Sequence, residues 1–163
     1  MTIQLNGRLD EQAYLVQATG QAALTGAAGD AAYVSLKNYR RATVIVDITN
    51  ATTVTGTAVT LKQATAVAGT NEKPLAFARM LSNIDVGAGQ AMAETAVSSN
   101  TFTSDTTNSK RLRYVIEVDA EDLDIANGFD CFRVDGAGAV ASTGQVSYIL
   151  WGARYSGANP MVD

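Results

Sequence analysis

Histidine is absent from the 163 residues, cysteine and tryptophan occur once each, and proline occurs twice. Without histidine the chain lacks the commonest general base near neutral pH and the commonest transition-metal ligand. The lone Cys131 cannot close an internal disulfide, so the fold is expected to form without covalent staples, as in a reducing compartment. No apolar run approaches the length of about eighteen residues that a membrane span requires. The opening "MTIQLNGRLDEQ" has no basic stretch leading into an apolar one. Neither export by a standard signal nor insertion into lipid is therefore expected. Charge is sparse at 17%, and 12 Lys and Arg against 16 Asp and Glu leave a net −4. That balance is poorly suited to neutralising phosphates, and nucleic acid is not an expected partner.

What is present is apolar material in short pieces. Apolar residues make up 47% of the chain, enough for one cored domain. They fall in β-branched runs broken by Gly, Asn, Asp, Ser and Thr, the pattern of an all-β domain with many turns. In Ala42 to Thr49, Val44, Val46 and Ile48 alternate with Thr43, Ile45 and Asp47, which predicts a strand packed on one face. Val59 to Val67 predicts a second strand, joined to the first through "NATTVTGT" as a hairpin with a long loop. Further strands are expected at Leu75 to Met80 after Pro74, at Arg111 to Val118, at Phe129 to Val134 and at Gln145 to Tyr155, the last bending or splitting at Gly152. Arg111 to Val118 alternates most cleanly, with Leu112, Tyr114, Ile116 and Val118 opposite Arg111, Arg113, Val115 and Glu117. About seven or eight strands at this spacing favour a β-sandwich or jelly roll with little helix.

Asp10 to Ala18 offers a short helix capped by Asp10, and Ala120 to Ala126 a one-turn helix before the reversal at Asn127 and Gly128. Ala18 to Ala32 is nearly all Ala, Gly, Thr and Gln, and reads as an arm or loop. The expected organisation is an N-terminal arm with a short helix over 1–32 and a single β-sandwich domain over 33–163. Asn83 to Asn108 reads as a long excursion holding one short strand, a place where contacts are often made. Residues 117–163 hold two basic and eight acidic side chains, so the negative field belongs to the C-terminal third.

Candidate chemistry is thin. Asp119, Glu121, Asp122 and Asp124, followed by Asn127, form the densest oxygen cluster and read either as a Ca²⁺ site or as a solvated, capped turn. The helix-loop-helix calcium loop requires Gly at its sixth position, where this chain has Asp124, so the turn is favoured. Cys131 in "FDCFRV" has strand neighbours and no base beside it, and reads as a small buried hydrophobe. The pieces "GAGQ" and "GAGAV" lack the lysine and helix of a phosphate cradle and read as turns. "KNYRR" at Lys37 to Arg41 suits a phosphate or a stacked base, and suits an exposed turn better given the overall acidity. Asn50 in "NAT" matches a glycosylation acceptor, which carries little weight without a secretory route. Trp151, Tyr148, Tyr155, Phe77 and Phe102 serve as core anchors or as contact points between subunits, with the core favoured for Trp151 and Phe132 and Phe102 left open. No catalytic, cofactor-binding or metal residue is assigned, and no enzyme activity is expected.

The phrases "YVSLKNYRRATVIVDI", "AVTLKQATAVAGTNEKPLAFARM", "LRYVIEVDAEDLD", "GFDCFRV" and "YILWGARY", spanning Tyr33 to Tyr155, resemble small structural proteins encoded among the head genes of tailed bacteriophages. The resemblance implies a virion component made in the host bacterial cytoplasm, in the first place a capsid decoration or cement protein. Its partners would be the major capsid protein and itself, as a β-rich homotrimer. Alternatives are a head-tail connector or tail component, and then a carbohydrate-binding or enzymatic sandwich. Ala18 to Ala32 would, on this reading, gain order along a neighbour's sheet edge.

Overall fold

The computed structural model describes residues 12–23, 30–137, 142–154 and 160–162. Two antiparallel sheets pack face to face. The strands are β1 (Ala13–Gln17), β2 (Ala22–Ala23), β3 (Val34–Ser35), β4 (Arg41–Asn50), β5 (Ala58–Ala64), β6 (Lys73–Pro74), β7 (Phe77–Asn83), β8 (Ala93–Ser99), β9 (Thr101–Thr103), β10 (Arg111–Asp119), β11 (Cys131–Ala137) and β12 (Ser142–Trp151). The seven-stranded sheet runs β1-β12-β4-β10-β7-β8, with β2 also on the β1 side of β12. The five-stranded sheet runs β3-β11-β5-β6, with β9 also paired to β5. Among the described residues, no helix is long and apolar enough to cross a membrane.

Period-two alternation builds the core. Val44, Val46 and Ile48 from β4, Tyr114 and Ile116 from β10, and Tyr148 and Leu150 from β12 point inward from one sheet. They meet Leu61, Phe132 and Val134 from the other, and the Phe132 and Tyr148 rings stack tilted at 5.1 Å. Tyr148 also reaches across to the other sheet's backbone, where its hydroxyl oxygen accepts from the Val134 N–H at 3.0 Å. β3 pairs only Cys131 and Phe132, so this hydroxyl serves a donor beyond the end of that strand.

Several expectations are corrected. β4 and β5 are not a hairpin, because β4 pairs β10 and β12 while β5 pairs β11, β6 and β9. The intervening loop carries the chain from one sheet to the other. Ala13–Gln17 is an edge strand rather than the short helix, and it buries Val16 against the core. "AYLVQ" holds β-branched and aromatic side chains that an open β12 edge can use. Asp10, its expected cap, lies outside the described residues. The described parts of Ala18 to Ala32 bond to the chain's own sandwich. Ala22–Ala23 pair Thr143 and Gly144, and Ala31 N–H donates to the Val134 carbonyl at 2.8 Å.

The long excursion holds two strands, not one. It leaves the seven-stranded sheet along β8 and enters the five-stranded sheet as β9 at Asn100. The turn after β10 is two 3-10 turns, Ala120–Asp122 and Ile125–Asn127, instead of one helical turn. β12 ends at Trp151, and Gly152 takes a left-handed conformation under the Arg40 side chain.

Candidate functional site

The two sheets present outer faces of different character. Register places Arg111, Arg113, Val115, Glu117 and Asp119 along the outer face of β10, and Arg41, Thr43, Ile45, Asp47 and Thr49 beside them on β4. One row of this face runs Ser147, Ile45, Val115, Leu81 across four strands, and the adjoining row adds Leu15 and Ile149. Leu15 is 63% exposed and Leu81 39%. An apolar band of this kind on the outside of a sheet marks a contact surface more readily than scattered apolar residues do.

Polar side chains border the band. Arg113 holds Asp47 with two bonds of 2.7 and 3.0 Å, and Arg41 lies 3.5 Å from Asp119. Trp151 Nε1 donates to Thr43 Oγ1 at 2.9 Å, and Thr43 donates on to Glu117 Oε1 at 2.9 Å. Arg41, Thr43, Glu117, Asp119 and Trp151 line an open groove of about 1050 Å³ together with Arg40, Glu121 and Arg154. β7 pairs β10 only from Leu81 to Asn83, and below that point it diverges. A second groove of about 550 Å³ opens in the gap, walled by Phe77, Met80, Val97 and Glu117.

The outer face of the five-stranded sheet is covered instead. Lys62 and Arg133 stand directly opposite each other on β5 and β11, an unfavourable pairing of like charges that acidic neighbours offset. Lys62 Nζ lies 2.5 Å from Asp135 and 2.6 Å from Glu72, and Arg133 lies 2.7 Å from Asp135 and 3.0 Å from Glu72. Asp30 joins at 3.7 Å, and Tyr33 donates to Glu72 at 2.6 Å while its ring carries the Arg133 guanidinium at 4.9 Å. Burial alone would raise the Glu72 pKa, but hydrogen bonds from Lys62 and Tyr33 and the Arg133 charge hold it below the ordinary value. Asp30 is shifted upward by burial and by the Asp135 charge. Tyr33 also roofs a small second core with Ala64, Cys131 and Val67. This network ties the segments carrying Asp30, Tyr33 and Glu72 onto the sheet.

The residues singled out from sequence are placed as follows. The four carboxylates of the acidic turn are not brought together. Asp119 and Asp122 form a reciprocal capping box, Asp124 engages Lys73 and Asn127, and Glu121 lies on the groove beside Trp151. The Lys73 ammonium, with Asn127, holds the Asp124 carboxyl below its usual range. Among the described residues no three His, Cys, Asp or Glu side chains converge as a metal site would need. Cys131 is fully buried. Within Lys37 to Arg41, Tyr39 is buried edge-on to Tyr14 at 6.5 Å, so its ring is not open to a base.

Asn50 is a buried organiser, not an accessible acceptor. Its amide nitrogen donates to the Asp105 and Thr107 carbonyls, and Ser142 donates to its oxygen. "GAGQ" overlaps the end of a 3-10 turn over Val86–Ala88 that Gly89 caps in a left-handed conformation, and "GAGAV" lies only partly within the described residues. Phe102 belongs to the core, between Phe77 and Tyr114. Trp151 does not. Strand parity sends Val146, Tyr148 and Leu150 inward and Trp151 outward, half-buried. Tyr155 lies outside the described residues. The ion network has no signal in the sequence that local pattern could reveal. Arg133 and Asp135 at i and i+2 share a strand face, but Lys62, Glu72 and Asp30 join them only through register and loop path.

The fold defines the chain as an antiparallel two-sheet β-sandwich protein. No family model matches it, and no curated protein matches it. A similar solved structure is that of the SPBc2 prophage-derived protein YomS, with TM-score 0.46 and 6% identity over 85% of this chain and 92% of that one. At that distance the likeness carries no conclusion about role.

Proposed function

We propose that this chain is a non-enzymatic structural protein of a tailed-phage virion, a decoration or cement protein that binds the outer surface of the major capsid protein shell. The observation that carries the reading is the apolar band of Leu15, Ile45, Leu81, Val115 and Ile149 on the outer face of the seven-stranded sheet. It is an outward apolar surface for protein contact, with Leu81 and Val115 also lining the groove beside β7, on a sandwich whose charged side chains largely hold one another. The reading also draws on the resemblance of the Tyr33 to Tyr155 phrases to phage head proteins. The β7–β8 hairpin adds a second contact element, since β8 has only Val97 half-buried and Ile84 and Val86 at its turn are exposed. Modest contacts suffice for such a protein. Linking several into one assembly makes later engagements intramolecular and raises avidity about a hundredfold or more.

The test is quantitative mass spectrometry of purified virions against the major shell subunit. Copy numbers in the hundreds per particle are expected, with loss of shell stability to heat when the gene is deleted. A few copies per particle would instead assign the chain to the connector or tail, and absence from particles would end the virion reading.

A further inference from the structure

Along β10 the outward side chains form a sequence of charge that is its own complement when reversed. Arg111 and Arg113 are basic, Val115 is apolar, and Glu117 and Asp119 are acidic. Two such strands laid antiparallel, face to face, set Arg111 against Asp119, Arg113 against Glu117 and Val115 against Val115. The neighbouring row reinforces the centre of this arrangement, because Ile45 and Leu81 are the cross-strand partners of Val115 on either side.

We infer that this face binds a second copy of the same chain through a two-fold axis lying in the interface along the row Ile45–Val115–Leu81. The inference rests on the reading of that face as a contact surface and names a second copy as its occupant, which leaves the β7–β8 hairpin, with Ile84 and Val86 exposed at its turn, as the element for attachment to the shell. An isologous contact requires a patch complementary to itself, and residues on the axis meet their own counterparts. β10 meets both conditions in one strand. Arg113 and Asp119 already have partners within the chain, Asp47 and the Asp122 backbone N–H, and share them with the contact across the axis, while Arg111 and Glu117 are less engaged. Among the described residues Arg111 has no carboxylate partner, and the Asp119 pair with Arg41 is long, with both side chains more than half exposed. Among the described residues Glu117 accepts only from the Thr43 hydroxyl.

Geometry permits the contact. Facing sheets pack about 10 Å apart with strands crossing near 30°, a gap that arginine and a carboxylate bridge from opposite sides. The twist of each sheet parts the corners, so contact centres on β4 and β10 and leaves Glu94 at the β8 edge beside Arg79. Four or five strands at about 4.8 Å spacing and nine residues at about 3.3 Å cover roughly 600–700 Å² per copy. About 1,300 Å² in total lies at the lower end of the range for specific interfaces, roughly 1,200–2,000 Å². The contact makes pairs, not the threefold assembly that the phage resemblance implies.

The experiment is native mass spectrometry and sedimentation of the full chain at micromolar concentration, with two variants at the axial position. The wild type should sediment at twice its 17.0 kDa mass. V115R and V115E should each be monomeric, because each places like charges against each other across the axis, while an equimolar mixture of the two should form the heterodimer. Far-UV circular dichroism checks that both variants fold, which is expected because Val115 faces outward. A monomeric or trimeric wild type, a dimer that survives V115R, or a mixture that stays monomeric would each overturn the inference. None of these results touches attachment to virions, which is measured separately on particles.

Discussion

Tyr148→Phe isolates one interaction between the sheets without making a cavity. The ring is fully buried and stays where it is, tilted against Phe132 at 5.1 Å, while the hydroxyl that accepts from Val134 N–H disappears. Val134 is itself buried, and its N–H faces the side of β11 on which β3 has already ended. No strand is there to replace the acceptor. An orphaned buried N–H costs about 1–3 kcal/mol. For a domain of this size each kcal/mol moves the thermal midpoint by about 2–4 °C, so a loss near 2 kcal/mol predicts a fall of about 4–8 °C. Differential scanning calorimetry measures the shift, and urea titration checks that the slope of the transition is unchanged. Tyr114→Phe is the matched control. It removes the acceptor of the Asp105 N–H, a half-exposed residue that water can reach, and should cost less than about 1 kcal/mol. A Tyr148→Phe midpoint equal to the wild type, or a larger loss from Tyr114→Phe, would refute the reasoning that the hydroxyl completes the five-stranded sheet.

Glu72→Gln tests the ion network through pH. The glutamate pKa is depressed below its ordinary 4.5 in the fold, so its contribution is present above that value and is lost as pH falls through the folded-state value. Asp30, raised by burial, acts in the opposite sense, since its protonation at low pH favours the fold. The variant should melt lower at neutral pH and lose less stability between pH 4.5 and the acid limb than the wild type does, as thermal scans across that range would record. Gly56→Ala should destabilise more than Gly152→Ala. Both residues have positive φ, but a Cβ at Gly56 falls 2.8 Å from Thr103 Cγ2 and 3.1 Å from the Ser104 carbonyl, whereas at Gly152 it meets the flexible stem of Arg40. The difference in urea unfolding free energy should be about 1 kcal/mol or more. Deleting residues 1–28 removes β1 and β2 from the edge of β12 and Val16 from the core, and should lower the thermal midpoint. An unchanged midpoint would show that this edge contributes nothing to stability.

Alternation alone makes the central strands legible. Val44, Val46 and Ile48, and likewise Leu112, Tyr114 and Ile116, announce a buried face because side chains repeat every two residues along a strand. The same parity applies to Trp151. It follows Tyr148 and Leu150 at odd spacing and therefore points outward, a signal that its hydrophobicity masks. The absence of histidine and the single cysteine likewise limit the chemistry from composition alone.

Which strands become neighbours is decided only by tertiary structure. The loop after β4 serves a hairpin or a crossing between sheets equally well, because both bury the same side chains. β1 and β2 are strands because β12 offers them an edge, and no local propensity records that offer. The network of Lys62, Glu72, Asp135, Arg133 and Asp30 draws on four separate stretches of chain, and the self-complementary face needs β4, β7 and β10 side by side in one register. Local sequence determines which face of a strand is buried, since that depends on a residue and its neighbours two positions away. It does not determine the partner across the ladder, since that depends on which distant segment removes the most apolar surface from water with every backbone group paired.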